Sequence, residues 1–396
     1  MARSKIVNSI FWATVLIALL YSSYRYPLQI NSAQTSPTYS DTPPFLQAAK
    51  YLLLAAACAV IAVAAGGLYI PRRKLGFIAL YLALLVCPFI HLTFDGEPKH
   101  LAFAFVAAVA FFVSLSVRAV TMSSIDAFMK FTLYLSLLVN LIQIILFYSI
   151  GRLPALAYED TLSVRFGSFL DDPNGFGALL FLLLGYAFCS PRTLVNRLCI
   201  LGVILSIVFS QSLTAIAFLV FLILLWGLMN HFKATVLILM IACLPLLMPV
   251  LFGDFRPDGS ELLDVVLTSK EASSDAHFAS FKVANLADFS VWILGADGYS
   301  ISESWWVTSL NNYGLIWTAA LLAMFSAFMW RLYNALRETN SQRSKRVLFA
   351  ALLFSIYFVV ASANLPFPTV FPINFIFMLL LCLFMLKKVQ EDEASR

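Results

Sequence analysis

Ser163-Val164-Arg165-Phe166-Gly167-Ser168-Phe169-Leu170-Asp171-Asp172-Pro173-Asn174-Gly175-Phe176-Gly177 is a short polar run with a long apolar stretch on either side. It combines a fixed cation at Arg165, carboxylates at Asp171 and Asp172, an amide at Asn174 and three glycines that let backbone approach a ligand closely. Pro173 suits the first turn of a helix, and Asp172 just before it reads as the N-cap. The same helix entry would offer free backbone N–H groups and a positive dipole end to a phosphate or pyrophosphate. Capping and ligand binding are both open readings of Asp172 and Asn174.

The stretches on either side decide the fold class. Hydrophobic residues make up 61% of the chain and charged ones 12%, with a mean hydropathy of +0.88, which a soluble domain could not carry. The apolar stretches run roughly 17 to 25 residues, the length of spanning helices, whereas barrel strands would alternate over about 10. The fold expected is therefore an all-α polytopic membrane protein. One membrane domain covers 1–396, with an outer loop cap at 253–305 and a second outer loop at 151–173.

Charge sets the topology. Pro71-Arg72-Arg73-Lys74, Arg118 with Lys130, Arg192 with Arg197, His231 with Lys233, the basic run from Arg331 to Arg346 and Lys387-Lys388 mark inner connections under the positive-inside rule. Arg3 and Lys5 precede a first apolar run that lacks a small-residue cleavage site, so it reads as an uncleaved helix. The result is about twelve spans, with a large outer loop and both termini inside. Lys and Arg then divide 18 inside to 8 outside, while Asp and Glu divide 5 to 16, a bias that a wrong frame would blur. The turn at 210–214 joins two spans, one further span covers 234–252, and the last two form a hairpin over 364–368. All six cysteines fall in apolar stretches and read as small membrane-buried side chains; no spacing of His, Cys or Asp makes a case for a metal.

A second polar constellation follows the longest loop. Ser260, and Ser274 or Asp275, can cap two short amphipathic helices. Then come Ile293-Leu294-Gly295-Ala296-Asp297-Gly298-Tyr299, Glu303-Ser304-Trp305-Trp306 and Asn311-Asn312-Tyr313-Gly314-Leu315. Trp305 and Trp306 read as interface-belt aromatics. Asn140 and Gln143, polar groups within the fifth span, are expected to pair with another helix.

These two constellations together resemble the superfamily of O-antigen ligases and Wzy-type polysaccharide polymerases, bacterial membrane glycosyltransferases. The likeness rests on the Arg165, Gly167, Asp172-Pro173-Asn174 and Phe176-Gly177 run, and on the glycine turn, polar helix head and Tyr313-Gly314-Leu315 that follow. It covers residues 163–315; the first five helices match in length and hydropathy alone. Ligases of the group show a His-Asn pair at the second helix head, whereas Glu303 and Ser304 stand here, closer to the polymerase pattern. Other departures are Leu213 where many relatives carry Arg, His277 where many have Arg, and an Arg165 spacing to Gly175 and Gly177 of ten and twelve positions, where polymerases are described by eleven.

The resemblance implies a GT-C-like fold, no nucleotide sugar, no metal or other cofactor, and a site facing the periplasm of a bacterial inner membrane, which makes the outer loop cap and the second outer loop periplasmic. The substrate implied is a polyprenyl-pyrophosphate-linked oligosaccharide, with membrane lipid around it. A chain-length regulator and a flippase are the companions expected, and nucleic acid has no part. The leaving group of such a reaction is already activated, so the protein must supply cations to the departing pyrophosphate and a base to the attacking hydroxyl. Arg165, Arg256 and Lys282 are the outer cations for the first task, with Asn174, Asp171 and Asp172 beside them. Glu303 is the preferred base and His277 the alternative. Arg165 can also be read as snorkelling to headgroups, Glu303 as a helix-start carboxylate, and the two aspartates as holding Arg165. The rival functions are an O-antigen ligase acting on a lipid A core and a secondary transporter. Against the transporter stand the lack of an inverted repeat, of an obviously broken pair of half-helices, and of intramembrane charge.

Overall fold

The computed structural model describes residues 2–20, 44–95, 100–150, 157–160, 163–170, 172–230, 289–295, 302 and 304–391. The span expected at 234–252, the two amphipathic helices of the loop cap, and Asp171, Arg256, His277, Lys282 and Glu303 lie outside the described residues.

The protein is an all-α multi-pass membrane protein. Its helices are α1 Ala2–Leu20, α2 Pro44–Ala65, α3 Leu75–Asp95, α4 His100–Ser116, α5 Met122–Ile150, α6 Pro173–Phe188, α7 Leu194–Phe209 and α8 Leu213–Asn230. After them come α9 Phe289–Leu294, α10 Trp305–Glu338, α11 Gln342–Ala361 and α12 Ile373–Met385. Among the described residues, 5 helices are long and apolar enough to cross a membrane, and shorter apolar helices accompany them. Many of their large apolar side chains face outward, as a lipid solvent allows.

The bundle is organised around α12, whose residues from Ile373 to Phe384 are all buried. A helix apolar all round belongs in the middle of a bundle. Here α12 is lined by α4, α10, α11 and α6. Aromatic rings fill the centre: Phe377 stacks on Phe358 at 4.0 Å and meets Phe325 edge-on at 4.8 Å. Beside them α6 runs along α11 at close range, because Gly185 faces the backbone of Ala350, where a Cβ would come within 2.9 Å of its Cα. Small residues permit such approaches where lipid gives helices no hydrophobic drive to associate.

Helix ends that the charge pattern assigns to one side gather together. At one end, Arg118 lies over the Tyr69 ring at 4.3 Å, and the buried Lys388 donates to the Tyr69 carbonyl at 2.9 Å. Burial pushes the Lys388 ammonium below the usual lysine range. A two-residue parallel pair, β1 Val120–Thr121 with β4 Val389–Gln390, ties the α4–α5 connection to the C-terminal residues. Nearby, Arg346 on α11 pairs with Asp126 on α5 at 3.1 Å. The other end holds the polar constellations.

Three details differ from the expectation. The fifth helix begins at Met122, nine residues before the expected start at 131, because its first turns are anchored by Asp126 rather than by lipid. The loop at 151–173 carries a short antiparallel hairpin, β2 Ala157–Asp160 with β3 Ser163–Phe166. The tenth span is interrupted: Gly314 sits at φ 85°, ψ 170° inside α10.

Candidate functional site

The Arg165 stretch opens in β3, where Arg165 is paired with Tyr158. The chain then tightens through Phe166 to Leu170, all buried. Ser168 takes a left-handed φ of 55°, a conformation that costs a non-glycine residue about 1 to 3 kcal/mol and persists only when its surroundings over-determine it. They do so here. The Gln143 side chain of α5 donates to the Ser168 carbonyl at 2.8 Å and accepts from its N–H at 3.0 Å. The Ser168 hydroxyl donates to the Ser136 carbonyl of the same helix at 3.0 Å. One turn along, the Asn140 amide donates to the Ser206 hydroxyl of α7 at 2.7 Å. Asn140 is thus paired with another helix as expected, whereas Gln143 is paired with the loop instead.

Asp172 caps α6. Its carboxylate accepts from the Asn174 N–H at 3.0 Å and the Gly175 N–H at 2.9 Å, and Pro173 takes the first helical position. This corrects the expectation that the helix entry leaves its N–H groups free for a phosphate: the cap occupies them, and its negative charge already sits on the dipole end. Removing the cap with Asp172→Ala is expected to cost about 0.5 to 2 kcal/mol. A lowered melting temperature of the detergent-solubilised protein, with Asp172→Asn losing less, is the result to look for.

The Asn174 side chain accepts from the Ser212 hydroxyl at 2.8 Å. Ser212 is fully buried in the turn between α7 and α8, which forms where expected and has Gln211 at a left-handed φ of 48°. Across from it, the ring of Tyr357 on α11 stacks on Phe181 at 4.4 Å. Its hydroxyl, buried with the whole side chain, approaches Ser212 and the Asp172 carboxylate but completes no hydrogen bond of good geometry. Asn364, from the α11–α12 connection, donates to the Thr214 hydroxyl at 3.3 Å.

The second constellation borders the same connection. Ser304 caps α10, its hydroxyl accepting from the Val307 N–H at 3.4 Å. The Trp305 N–H donates to the Ser362 carbonyl at 2.9 Å, and the Trp306 indole donates to the Val359 carbonyl at 3.1 Å. Trp305 is 2% exposed, its ring 5.3 Å from Phe103. The expectation of two belt aromatics is therefore corrected: one indole is core and the other is tethered to α11, because the head of α10 tucks against helices rather than facing lipid headgroups. Thr308 closes the head from below, donating to the Ser302 carbonyl at 3.0 Å and accepting the Ser302 N–H at 2.9 Å.

The glycine turn and the Tyr-Gly-Leu run meet each other. Gly295 lies at φ 77°, and a Cβ there would fall 2.4 Å from the Asn311 carbonyl oxygen. Gly314 in turn faces the carbonyls of Val291 and Trp292, at 2.9 and 2.8 Å from a built Cβ. Backbone of α9 therefore rests on the break in α10, and no side chain fits between them. Just before the break, the Tyr313 hydroxyl lies 3.0 Å from Nδ1 of the buried His100, and the His91 ring stands 5.5 Å from Tyr313.

Of the residues singled out from sequence, Asp172 and Asn174 are together at the α6 head, and Arg165 lies a short stretch before them in β3. Sequence reasoning missed Tyr357, the bond from Ser212 to Asn174, the tie from Gln143 to the loop, and the meeting of His91 and His100 with Tyr313. Gln143 carried a signal, as a polar side chain within a span; Tyr357 carried none, since a tyrosine among Phe354, Phe358 and Val359 reads as packing. The heads of α6 and α10, well over a hundred residues apart in the chain, are joined through one connection: Gly175 packs on Val370 and Ile373, while Trp305 bonds to Ser362. No protein-family model matches the chain, and comparison with curated proteins finds no relative.

Proposed function

We propose that this protein is a lipid-linked glycan polymerase of GT-C-like fold, with about twelve spans, acting at the periplasmic face of a bacterial inner membrane. The observation that supports this reading is the meeting of the two polar helix heads, α6 and α10, on the 362–373 connection at one end of the bundle. In the proposed reaction a sugar hydroxyl of one lipid-linked repeat unit attacks the anomeric carbon of the growing chain. Its proton passes to Glu303, with His277 as the alternative acceptor. The anomeric carbon–oxygen bond to the polyprenyl pyrophosphate breaks, and the electron pair leaves on the pyrophosphate oxygen, met by Arg165, Arg256 and Lys282. Positioned cations of this kind are typically worth about 3 to 4 kcal/mol, and a general base about 10² to 10⁴-fold in rate.

The test is a gel profile of surface glycan from cells lacking the protein, with the lipid-linked pool examined in parallel. Single repeat units on the acceptor, with the ladder gone, support the polymerase. Long polymer accumulating on the lipid carrier means a ligase instead. Arg165→Ala and Glu303→Ala are each expected to abolish the ladder while the protein stays in the membrane at wild-type level; full activity in both would remove those residues from the site.

One observation favours a second reading, a secondary transporter. Interrupted helices and buried ionisable groups are what carriers use at their substrate sites. The break at Gly314 lies beside the buried His100 and Tyr313. An unchanged glycan profile on deletion would support it.

A further inference from the structure

Asp172, Asn174, Ser212 and Tyr357 make a compact polar cluster where the heads of α6 and α8 meet the outer part of α11. Among the described side chains its chemistry suits a hydroxyl-rich group better than a pyrophosphate. The two N–H groups that an anion would use are held by a carboxylate, and the contacts among described side chains at this point are carboxylate, amide and hydroxyl. An incoming phosphate would meet the Asp172 charge at short range in a half-buried setting, where like charges repel strongly. A carboxylate, a side-chain amide and hydroxyls, each able to accept and most able to donate, suit the hydroxyl groups of a carbohydrate.

The Tyr357 hydroxyl is the second observation. It is 0% exposed, held in place by stacking on Phe181 at 4.4 Å and by an edge contact to Phe218 at 5.2 Å, and beside Ser212 it completes no hydrogen bond of good geometry. Buried polar groups are nearly always satisfied, and one that is not calls for a missing partner. Phe354, Phe358 and Phe375 show that phenylalanine is accepted throughout this core. The hydroxyl is therefore an addition to the packing, aimed at the polar cluster. Asp172 and Asn174, partly exposed, and the exposed Asn364 form its rim.

We infer that this cluster is a subsite for a neutral polyhydroxylated group, a sugar of the glycan, and that Tyr357 and Ser212 are among the residues that bind it, while the pyrophosphate is met elsewhere by the cationic residues. This rests on the glycosyl-transfer reading and divides its substrate into two parts bound by different chemistry.

The test uses the purified full-length protein in lipid nanodiscs and two probes: lipid-linked oligosaccharide extracted from cells lacking the protein, and sugar-free undecaprenyl pyrophosphate. Tyr357→Phe keeps the ring and its stacking, and Ser212→Ala is the second variant in case the first disturbs the fold; each is compared with wild type for its melting temperature. The expected result is about tenfold weaker binding of the oligosaccharide lipid, the usual size for one lost hydrogen bond to a ligand, with binding of the sugar-free lipid unchanged. Equal loss for both probes would assign the cluster to the pyrophosphate, and no loss for either would make it purely structural; both overturn the inference and leave the glycosyl-transfer reading standing. Failure of the wild-type protein to bind either lipid overturns that reading, and the inference with it.

Discussion

Gly295→Ala is expected to be among the most damaging single substitutions in this protein, lowering stability by roughly 2 to 6 kcal/mol. Two costs add. At φ 77° an alanine is strained by about 1 to 3 kcal/mol. Its methyl would also stand 2.4 Å from the Asn311 carbonyl oxygen and 2.8 Å from that of Asn312, and both are backbone, which cannot rotate aside as a side chain would. The overpacking adds about 1 to 3 kcal/mol more. Gly314→Ala should behave alike, since it meets the carbonyls of Val291 and Trp292 from the other side of the same contact. Gly76→Ala is the internal control: it lies in α3 with nothing within 4 Å of its built Cβ, so it should be neutral or raise stability by up to about 1 kcal/mol through helix propensity. Fluorescence-detected size exclusion with a heating series would separate the three. A Gly295→Ala protein that melts with wild type would mean that α9 does not rest on the α10 break.

Gln143→Leu carries the second large effect. Its amide satisfies both the N–H and the carbonyl of Ser168, which is 0% exposed and turned into a left-handed conformation. Leucine fits a lipid-spanning helix better than glutamine does, so hydropathy alone predicts a gain. The two orphaned backbone groups predict the opposite, at about 1 to 3 kcal/mol each. The orphaned groups should win locally: Ser168 would leave its strained conformation and the 166–170 loop would detach from α5. The expected readout is faster amide exchange at 167–170, with little change in the melting of the bundle. Gln143→Glu tests the cause, because a carboxylate keeps the acceptor for the Ser168 N–H and loses the donor. It should lie between wild type and leucine. Unaltered exchange at 167–170 in Gln143→Leu would show that the loop is held by something else.

The fold class was plain in the composition, because only lipid can host so many apolar stretches. So were features whose signal is local. The Asp172-Pro173 pair announced a capped helix start, the turn at 210–214 announced itself by polarity, and Gly295 announced a glycine turn, whereas the break at Gly314 was not legible. What sequence left open depends on contacts between distant residues. Whether the α6 N–H groups are free turns on where one aspartate rotamer points. Whether Trp305 faces headgroups or Phe103 turns on how α10 leans against α4, and a tryptophan suits both places. Tyr357 gave no sign at all, since one hydroxyl among phenylalanines is invisible to hydropathy.

The pairing of Val389–Gln390 with Val120–Thr121 has a bearing on how the protein is made. Spans enter the membrane in order as the ribosome delivers them, but this short parallel seam, the Lys388 bond to Tyr69 and the central position of α12 all wait for residues 373–390. Earlier pairs such as α6 with α11 can form before it, but the central groove that α12 fills stays open until α12 arrives. A stalled or truncated chain would be recognisable to membrane proteases at this stage, since it lacks both its innermost helix and the seam that follows it. Closure of the bundle around its innermost helix is, in this protein, a late event set by the arrival of α12.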